Sequence, residues 1–363
     1  MIRMATGSNP KAHFDETQIP TFRKALRTWF LKAQRDLPWR QSPTLYKTVV
    51  SEFMLQQTQV VTVVPYFERW LRLFPDFKSL ASADEAAVLK AWEGLGYYSR
   101  ARNLHSLAKQ IDQETLIPQT PEGWLKYKGI GPYTAAAITS IAFETPVAVV
   151  DGNLIRILTR LTEDPTEFKD NNTAMRVLGP LAQALLDPKH PGDHNQSMME
   201  LGATVCTKHN PLCLVCPVRS FCKSGRAGSA QLYPKLKRKL TILKEVDRAW
   251  VVHKGKLLLH CAPSRSVRLK GMYELPTLGA WVPPSVLANK TLLLKKSRGI
   301  SNERICERVF EITPTQTIVK STQGIQDLCW LEISKLNTIT LSGPHRRWID
   351  QLLERSTNSL KKP

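Results

Sequence analysis

The sequence lacks any long apolar run. No uninterrupted apolar stretch approaches the roughly 20 residues that a helix needs to cross a bilayer. The first ten residues contain no apolar core of the kind that secretory signals carry. A membrane-spanning or secreted protein is therefore not expected. We expect the chain to stay in the cytoplasm, where thiols are kept reduced.

Acidic residues are scarce relative to basic ones. The chain has 31 Asp and Glu against 51 Lys and Arg, a formal net charge of +20. Such an excess favours a polyanionic partner, because contacts to phosphates release counterions and supply affinity without sequence preference. Charge alone does not distinguish nucleic acid from an anionic membrane surface, or from a surface that merely keeps the protein in solution.

No internal repeat is visible, but the chain has two regions of different pattern. Up to about residue 223, apolar residues recur at the i, i+3, i+4 spacing of amphipathic helices, and no alternating strand pattern competes. This spacing predicts a mainly α domain over residues 1–228, with helices over 21–33, 46–61, 83–92, 99–111, 133–141, 154–161, 172–186 and 195–206.

The second region begins with a stretch rich in Gly, Ser and Lys, which we interpret as a linker over residues 229–244. A hairpin is predicted around Lys254 and Gly255, with short strands at 291–294 and 317–319 and an amphipathic helix near 346–353. We therefore predict an α+β domain over residues 245–355, followed by a tail at 356–363.

Four of the seven cysteines are clustered at Cys206, Cys213, Cys216 and Cys222, with the spacing C-x6-C-x2-C-x5-C. In a reducing compartment this pattern indicates metal binding rather than disulfides. Four thiolates on one loop suit either a tetrahedral zinc ion or a cubane of iron and sulfide. Zinc sites more often pair two C-x2-C hooks, but the residues alone leave both metals open.

A glycine-containing turn, 128–132, lies between two predicted helices. Gly129 and Gly131 allow a tight turn and a close approach of the backbone to a partner, and Pro132 suits the first turn of a helix. Backbone N–H groups at a helix start bind phosphate, so this turn is a candidate grip on a nucleic-acid backbone. The alternative is an ordinary corner between helices.

Two acidic residues stand out by their surroundings. Glu52 lies in a predicted helix whose other positions are strongly apolar, and a carboxyl group in such a setting has a raised pKa and can serve as a general acid. Asp151 follows two valines and precedes Gly152, although Asp-Gly is also a common turn. Taken singly, an exposed glutamate and a turn aspartate are the alternatives.

Together these features resemble the endonuclease III superfamily of base-excision glycosylases, and within it the MutY-type adenine DNA glycosylases. The motifs occur in the family's order over roughly residues 35 to 223. They are 37–40, 51–60, 94–104, the glycine turn, 150–153 and the four-cysteine spacing. More loosely, 271–276 resembles the family's C-terminal Nudix-like domain.

The resemblance implies a helix-hairpin-helix glycosylase fold. It divides the helical domain into a six-helix module at about 45–145 and a part formed by the N-terminal segment and 146–228. It also implies that the four cysteines hold one 4Fe-4S cluster. The expected substrate is double-stranded DNA with adenine opposite 8-oxoguanine or guanine. We expect a monomer associated with the nucleoid and not with a membrane.

The resemblance also implies roles for the two acids. Glu52 would protonate the adenine ring and make it a leaving group, while Asp151 would stabilise or transiently bond the oxocarbenium-like sugar. Asn153 and Tyr133 match positions that orient the reacting groups. Strand-cutting relatives carry a lysine where this chain has Tyr133, and a phenol cannot form a Schiff base. We therefore expect a monofunctional glycosylase.

The remaining implied contacts fall into three groups. Gln57 and Tyr97 match residues that insert into the duplex, and Gly129, Gly131 and Thr134 match contacts to the DNA backbone. We expect recognition of the oxidised base to rest on Thr58, Leu95 and their neighbours, or on another loop. The adenine pocket would be formed by Arg35, Leu37, Trp39, Arg40, Leu55, Val60, Gln196 and Met199.

The chain departs from the family in its C-terminal domain. Relatives often carry a Phe-Ser-His element that touches 8-oxoguanine, and we assign the corresponding region to 309–313, which keeps only the phenylalanine. Two other functions stay open: a glycosylase–lyase for oxidised pyrimidines, and a non-catalytic, zinc-dependent binder of nucleic acid.

Overall fold

The computed structural model of the chain describes residues 14–237, 240–263, 266, 269–300 and 302–359. The first ten residues, the end of the predicted tail and two positions of the basic run at 235–239 lie outside the described residues. The described residues form two compact units. One comprises 14–71, 76–78 and 106–237, and the other 72–75, 79–105 and 240–359.

The predicted helical character of the chain up to residue 223 is confirmed for the described residues 14–223. Its helices are α1 (Ile19–Ala33), α2 (Leu45–Leu55), α3 (Val60–Leu73), α4 (Phe77–Ser82), α5 (Glu85–Ala91), α6 (Ser99–Gln113), α7 (Pro121–Trp124), α8 (Pro132–Phe143), α9 (Gly152–Thr162), α10 (Asn171–Leu185) and α11 (Pro191–Thr204). A short helix, α12 (Lys223–Ala227), follows the cysteine loop. A two-residue strand, β1 (Glu167–Phe168), pairs in parallel with β2 (Lys235–Leu236), which lies in the segment that we interpreted as a linker.

The single helix predicted over residues 46–61 is wrong. The chain forms α2 and α3 instead, with a break at residues 56–59. Gln56 leaves the helical region with ψ 108°, and Gln57 takes a left-handed conformation with φ +58°. A residue in that conformation ends a helix. The apolar spacing runs through the break because both helices bury their apolar side chains.

The core of the first unit forms around α9, which is buried along nearly its whole length. Its apolar residues pack against α1, α8, α10 and α11. This helix begins at the Asp151 segment and ends close to the cysteine loop. The sequence motifs at 150–153 and 206–222 are therefore joined by one rigid, buried element.

The second unit has the predicted α+β character. One sheet has the strand order β3 (Ile242–Trp250), β8 (Glu303–Glu311), β7 (Thr291–Ile300), with β3 parallel and β7 antiparallel to β8. In the other, β5 (Lys256–Cys261) pairs antiparallel with β4 (Val252–His253), β6 (Tyr273–Glu274) and β9 (Leu328–Glu332). The helices are α13 (Pro284–Leu287), α14 (Gln316–Gln323) and α15 (Gly343–Ser359).

Three expectations about elements of this unit are confirmed and two are wrong. The strand predicted at 291–294 is confirmed as the start of β7. The hairpin at Lys254 and Gly255 is confirmed, with both residues at positive φ as a tight hairpin turn requires. The late helix is confirmed as α15. Residues 317–319 are not a strand but part of α14, whose first turn is capped by Thr315, which accepts a hydrogen bond from the Ile318 amide at 3.3 Å.

The second failure concerns residues 309–313. Val309 and Phe310 lie inside β8, and their side chains are buried. A buried strand position cannot present its side chain to a base. The assignment of this stretch to the family's 8-oxoguanine-contacting element is therefore wrong.

The second unit also includes residues 79–105 of the helical region, which carry α5 and the start of α6. Among the described residues, every helix is too short or too polar to traverse a bilayer.

Candidate active site

A cavity of about 770 Å³ opens into the first unit. Its walls come from the segment after α1 and from α2, α3, α8, α9 and α11. Many of the predicted site residues line it: Arg35, Leu37, Trp39, Arg40, Glu52, Leu55, Thr58, Val60, Tyr133, Asp151, Asn153, Gln196 and Met199. Its volume lies within the roughly 300–1,000 Å³ of most small-molecule sites.

Glu52 is the buried acid of this cavity. It lies on α2 between Ser51 and Phe53, which are both buried, and only 6% of its surface is exposed. Burial, and secondly the nearby charge of Asp151, raise the pKa of Glu52 to about 8. A carboxyl group with this pKa keeps its proton at neutral pH and can donate it.

Asp151 is held by the start of α9. It occupies the N-cap position, where one carboxylate oxygen accepts hydrogen bonds from the amides of Asn153 at 2.9 Å and Leu154 at 2.8 Å. The other oxygen accepts from the side-chain amide of Asn153 at 3.2 Å. Burial raises the pKa of Asp151, while these donors and the charge of Arg156 favour its ionised form and offset part of that effect.

The two carboxyl groups therefore differ in their surroundings. Glu52 lies among buried residues of α2, whereas Asp151 is capped by three N–H donors and is only partly buried. Because their charges interact, the two groups share their titration steps, and a single negative charge is favoured on the pair. The hydrogen bonds favour placing that charge on Asp151.

Asn153 and Tyr133 lie beside the acids. The Asn153 side chain donates to Asp151 and accepts from the Arg156 guanidinium at 3.0 Å, so both of its ends are fixed. The Tyr133 hydroxyl contacts the sulfur of Met199 at 3.7 Å. Burial and then the charges of Glu52 and Asp151 raise the pKa of Tyr133 well above its usual value, so the phenol is neutral.

A group of charged and amide side chains forms another wall of the cavity. Glu200, fully buried on α11, accepts hydrogen bonds from Arg35 at 2.7 and 3.1 Å and from Arg40 at 2.9 Å. Arg40 also donates to the side-chain oxygen of Gln196 at 3.2 Å. Burial raises the pKa of Glu200, but the two arginines outweigh it and hold the pKa below its usual value.

Glu200 was not among the site residues predicted from the sequence. Its signal was available, because Glu200 lies four residues after Gln196 and the i, i+4 spacing places both on one face of a helix. Trp39 contacts Phe67 edge-on, with ring centroids 5.4 Å apart, so its ring both lines the cavity and packs against the core.

The glycine turn lies beside a second, smaller cavity of about 420 Å³. Gly129, Gly131 and Thr134 line it together with Glu52 and Asp151. Gly129 has φ +91°, and Gly131 caps α8 with open space where a β-carbon would lie. The Gln56 side-chain amide donates to the Gly129 carbonyl and to the Thr134 hydroxyl, both at 3.4 Å.

Three predicted DNA-inserting or base-contacting residues lie in loops. Gln57 is exposed beside the second cavity, at the break between α2 and α3. Leu95 and Tyr97 belong to the other unit, in the loop between α5 and α6. Leu95 is buried there, while Tyr97 is 46% exposed and has φ +49°. Their roles toward DNA stay predictions.

The four cysteines of the loop all line one small pocket. The buried Arg160 guanidinium donates to the Cys206 sulfur at 3.3 Å, and the Gly225 amide donates to the Cys222 sulfur at 3.3 Å. N–H donors of this kind stabilise the ligated thiolates of iron–sulfur clusters. No group of three or more His, Cys, Asp or Glu in the described part of the chain is arranged to hold a single metal ion.

Arg156 and Arg160 connect the cysteine loop to α9. Arg156 donates to the Cys206 carbonyl at 2.8 Å as well as to Asn153. Arg160 donates to the carbonyls of residue 207 at 2.7 Å and residue 208 at 3.2 Å. The backbone of the loop is therefore tied to the same helix whose first turn holds Asp151.

Comparison with known proteins agrees with this architecture. Residues 50–180 match the family described as HhH-GPD superfamily base excision DNA repair protein. A solved thermostable thymine-DNA glycosylase superimposes with a TM-score of 0.52 at 23% identity, covering 58% of this chain and 98% of that one. The helical part thus has the helix-hairpin-helix glycosylase fold that the resemblance implied.

Two curated relatives show which branch of this superfamily the chain resembles. The adenine DNA glycosylase of Rattus norvegicus is 44% identical over 233 residues, which is 60% of this chain and 44% of the rat protein. The adenine DNA glycosylase of Buchnera aphidicola subsp. Schizaphis graminum is 34% identical over 245 residues, covering 64% of this chain and 67% of the relative. The chain belongs to the adenine DNA glycosylase family. Its match spans less than half the length of the rat relative.

Proposed function

We propose that the chain removes adenine from DNA where it is mispaired with 8-oxoguanine or guanine, by hydrolysis of the N-glycosidic bond. The observation that carries the proposal is the pair Glu52 and Asp151 on one cavity, where burial keeps one carboxyl protonated at neutral pH. Cleavage of a glycosidic bond needs such a pair, one group to donate a proton and one to stabilise positive charge on the sugar.

In the proposed mechanism, an adenine flipped out of the duplex enters the cavity and meets the carboxyl of Glu52. Proton transfer to a ring nitrogen neutralises the negative charge that develops on the departing base. The apolar setting of Glu52 supports this step, because the neutral acid is favoured before transfer and has a strong drive to donate to a base that gains charge.

Asp151 would act on the sugar. As the C–N bond breaks, positive charge builds on the sugar ring, and the carboxylate stabilises it or bonds to it transiently before water completes the hydrolysis. The N-cap hydrogen bonds fix the carboxylate in position before the substrate arrives. A preorganised charge costs little reorganisation at the moment of reaction, which is the main source of its catalytic effect.

Selection of adenine would rest on the polar wall of the cavity. Glu200 and Gln196 offer acceptors, and Arg35 and Arg40 offer donors, all held in place by their mutual hydrogen bonds. A purine carrying an exocyclic amine and ring nitrogens can pair with both kinds of group. A base without matching donors and acceptors would form fewer hydrogen bonds to this wall, which would weaken its binding relative to adenine.

We propose that the enzyme is monofunctional. A glycosylase that also cuts the strand needs an amine to form a Schiff base with the sugar, and the neutral phenol of Tyr133 cannot do so. Among the described residues that line the larger cavity there is no lysine. Borohydride trapping of the protein on an abasic duplex should therefore give little cross-linked product, and efficient trapping at a cavity residue would refute this part.

The cysteine loop is proposed to hold one 4Fe-4S cluster through Cys206, Cys213, Cys216 and Cys222. The four side chains line one pocket, and two of their sulfurs already accept N–H donors, which suits thiolate ligands. When bound, the cluster would cross-link the loop and shape its exposed surface, with no step of the hydrolysis passing through it. Iron and sulfide analysis with visible absorbance would separate it from zinc.

The glycine turn is proposed to grip the DNA backbone. The amides at the start of α8 and the open space at Gly131 would let a phosphate approach. We propose that one monomer binds double-stranded DNA, in the cytoplasm at the nucleoid. The net charge of +20 supports this partner.

The test is a single-turnover excision assay on duplexes with adenine opposite 8-oxoguanine, guanine or thymine. Excision should be fastest opposite 8-oxoguanine. Asp151→Asn should lower the rate by at least about 100-fold, because it removes the charge. Asparagine is also a good N-cap, so this variant should fold. Equal rates opposite thymine would refute the mispair specificity, and full activity in the variant would remove Asp151 from the mechanism.

A further inference from the structure

The loop between α5 and α6 has several residues in the left-handed backbone conformation. Gly94, Gly96 and Tyr97 all have positive φ, at 106°, 73° and 49°. Glycine adopts such angles readily, but a tyrosine does so only where its surroundings enforce the conformation. The outcome is specific: Leu95 points into the protein and is 6% exposed, while Tyr97 is presented outward and is 46% exposed.

Residues next to the loop in the sequence stabilise part of this conformation. The Arg100 guanidinium donates to the carbonyls of Leu95 at 3.2 Å and Gly96 at 3.1 Å. It also contacts the rings of Trp92 and Tyr97, at 5.3 and 5.5 Å from their centroids. These contacts fix the tip of the loop relative to α6.

The base of the loop is held by a segment more than 240 residues further along the chain. The Arg346 guanidinium on α15 donates to a Glu93 carboxylate oxygen at 2.6 Å, and the Leu341 amide approaches the same oxygen at 3.4 Å. Arg346 is in turn fixed by the carbonyls of residue 336 at 2.7 Å and Ile339 at 3.1 Å. Both side chains are largely buried, so solvent screens this ion pair only weakly.

Lys90 also forms an ion pair with Glu93, and it donates to the Ile339 carbonyl at 3.0 Å. Two more contacts surround these charged groups. The hydroxyl of the buried Tyr98, next to Tyr97, donates to the Leu341 carbonyl at 3.1 Å. At the start of α15, a β-carbon on Gly343 would lie 3.5 Å from the Cα of Gly94. The loop is therefore clamped on both sides of its left-handed residues by residues 339–346, and Arg346 is the charged centre of that clamp.

We propose that Glu93 and Arg346 are a positioning pair, through which the C-terminal part of the chain holds the loop in the conformation that presents Tyr97 to the duplex. This inference rests on the proposed function for the role of Tyr97 in filling the gap left by a flipped base. Arg346 itself touches neither DNA nor substrate in this scheme. It acts on the reaction only through the conformation of residues 94–98.

The first test does not depend on activity. Amide hydrogen exchange, read by mass spectrometry, is compared for wild type, Arg346→Ala and Arg308→Ala. Arg308 forms an ion pair with Asp247 at 2.6 Å in the same unit and serves as the matched control. Arg346→Ala should speed exchange at residues 94–98 by about tenfold or more while leaving β5 protected, and Arg308→Ala should not. Unchanged exchange at 94–98 in Arg346→Ala would overturn the proposal.

A more conservative pair of variants covers the case in which Arg346→Ala destabilises the whole unit. Glu93→Gln removes the charge with little change of shape, and Arg346→Lys keeps the charge but loses the planar fork. Glu93→Gln should reproduce the local loosening, and Arg346→Lys should restore part of the protection. If both variants instead raise exchange throughout β5, the pair is merely structural and the proposal fails.

The second test asks whether the pair acts through Tyr97. Single-turnover excision is measured for Arg346→Ala, Tyr97→Ala and the double variant. Arg346→Ala alone should slow excision by about tenfold, but it should add nothing once Tyr97 is gone, because coupled residues are not additive. Multiplicative effects would overturn the proposal. If wild type excises no adenine, the proposed function fails, while the exchange experiment still decides whether the pair holds the loop.

Discussion

Replacing Glu52 by glutamine should change how the free energy of unfolding depends on pH. Burial and the charge of Asp151 raise the pKa of Glu52 from its usual 4.5 to about 8 in the folded protein. The unfolded chain leaves the group in water at its ordinary pKa. Folding therefore takes up a proton at every pH between these values. The contribution of this one group to stability is therefore greatest below about pH 4.5 and falls progressively as the pH rises toward 8.

The magnitude follows from the size of the shift. Each pKa unit corresponds to about 1.4 kcal/mol, so the carboxyl of Glu52 costs up to about 5 kcal/mol by pH 8 and no more above it. Glutamine has the same shape and does not ionise. We expect the stability of Glu52→Gln, relative to wild type, to rise by up to about 1.4 kcal/mol per pH unit between pH 5 and 8.

The assay is urea denaturation at pH 5, 6, 7 and 8, followed by tryptophan fluorescence and analysed by linear extrapolation. Glu122→Gln makes the same chemical change at an exposed position on α7 and is the matched control. A pH-independent difference for Glu52→Gln would refute the argument that Glu52 is a buried, protonated acid.

The same group sets the pH dependence of excision. Above about pH 8, Glu52 loses its proton and the rate of the chemical step should fall in wild type. Glu52→Gln should be inactive at every pH, because an amide has no proton to give to the base. A variant that gains stability as described but keeps full excision activity would separate the two roles and remove Glu52 from catalysis.

Three other predictions test other parts of the molecule. Glu307→Gln should destabilise the second unit by about 3–5 kcal/mol, since it removes the buried carboxylate that pairs with Arg298 at 2.7 Å and, beside Glu274, with Arg248 at 2.9 Å. In wild type, burial raises the pKa of Glu307, but His345 and then the two arginines outweigh it and lower the pKa to about 2, so this stability should be lost as the pH falls from about 4.5 to 2. Gly129→Ala should cost about 1–3 kcal/mol because of φ +91°, measurable by thermal unfolding, whereas Gly131→Ala at φ −100° should not. Cys213→Ser should lower iron content and DNA affinity in a binding titration while sparing the chemical step at saturating enzyme; loss of that step alone would contradict a structural role for the cluster.

Much of the helical unit and of its site could be predicted from the sequence. Amphipathic helices are recognisable from their 3.6-residue period, and each predicted helical range up to residue 206 contains a helix in the structure, although two helices share the range 46–61. The short motifs at 128–132 and 150–153 could also be predicted, because a glycine turn and an N-cap aspartate depend on local backbone chemistry. Glu52 was identified by contrast with its apolar neighbours.

The sequence-based predictions were wrong where long-range packing or a helix cap outweighed the local pattern of apolar and β-branched residues. The period alone cannot reveal that Gln57 adopts a left-handed conformation, so α2 and α3 were merged. Thr317 to Val319 are β-branched and favour a strand, yet the cap at Thr315 starts α14. The spacing from Gln196 places Glu200 on the same helix face, but its hydrogen bond to Arg35, 165 residues away along the chain, could not be predicted from that spacing. Such partners meet only in the folded chain.

The bridge from Gln56 to the glycine turn has a consequence for how the protein would search DNA. Gln56 ends the helix that carries Glu52, and it is hydrogen-bonded to both sides of the turn that would hold a phosphate. The turn proposed to bind phosphate and the helix that carries the proton donor are therefore linked by hydrogen bonds. A protein that searches DNA with this turn on the backbone would therefore carry the carboxyl of Glu52 at a fixed distance from the phosphate that the turn holds.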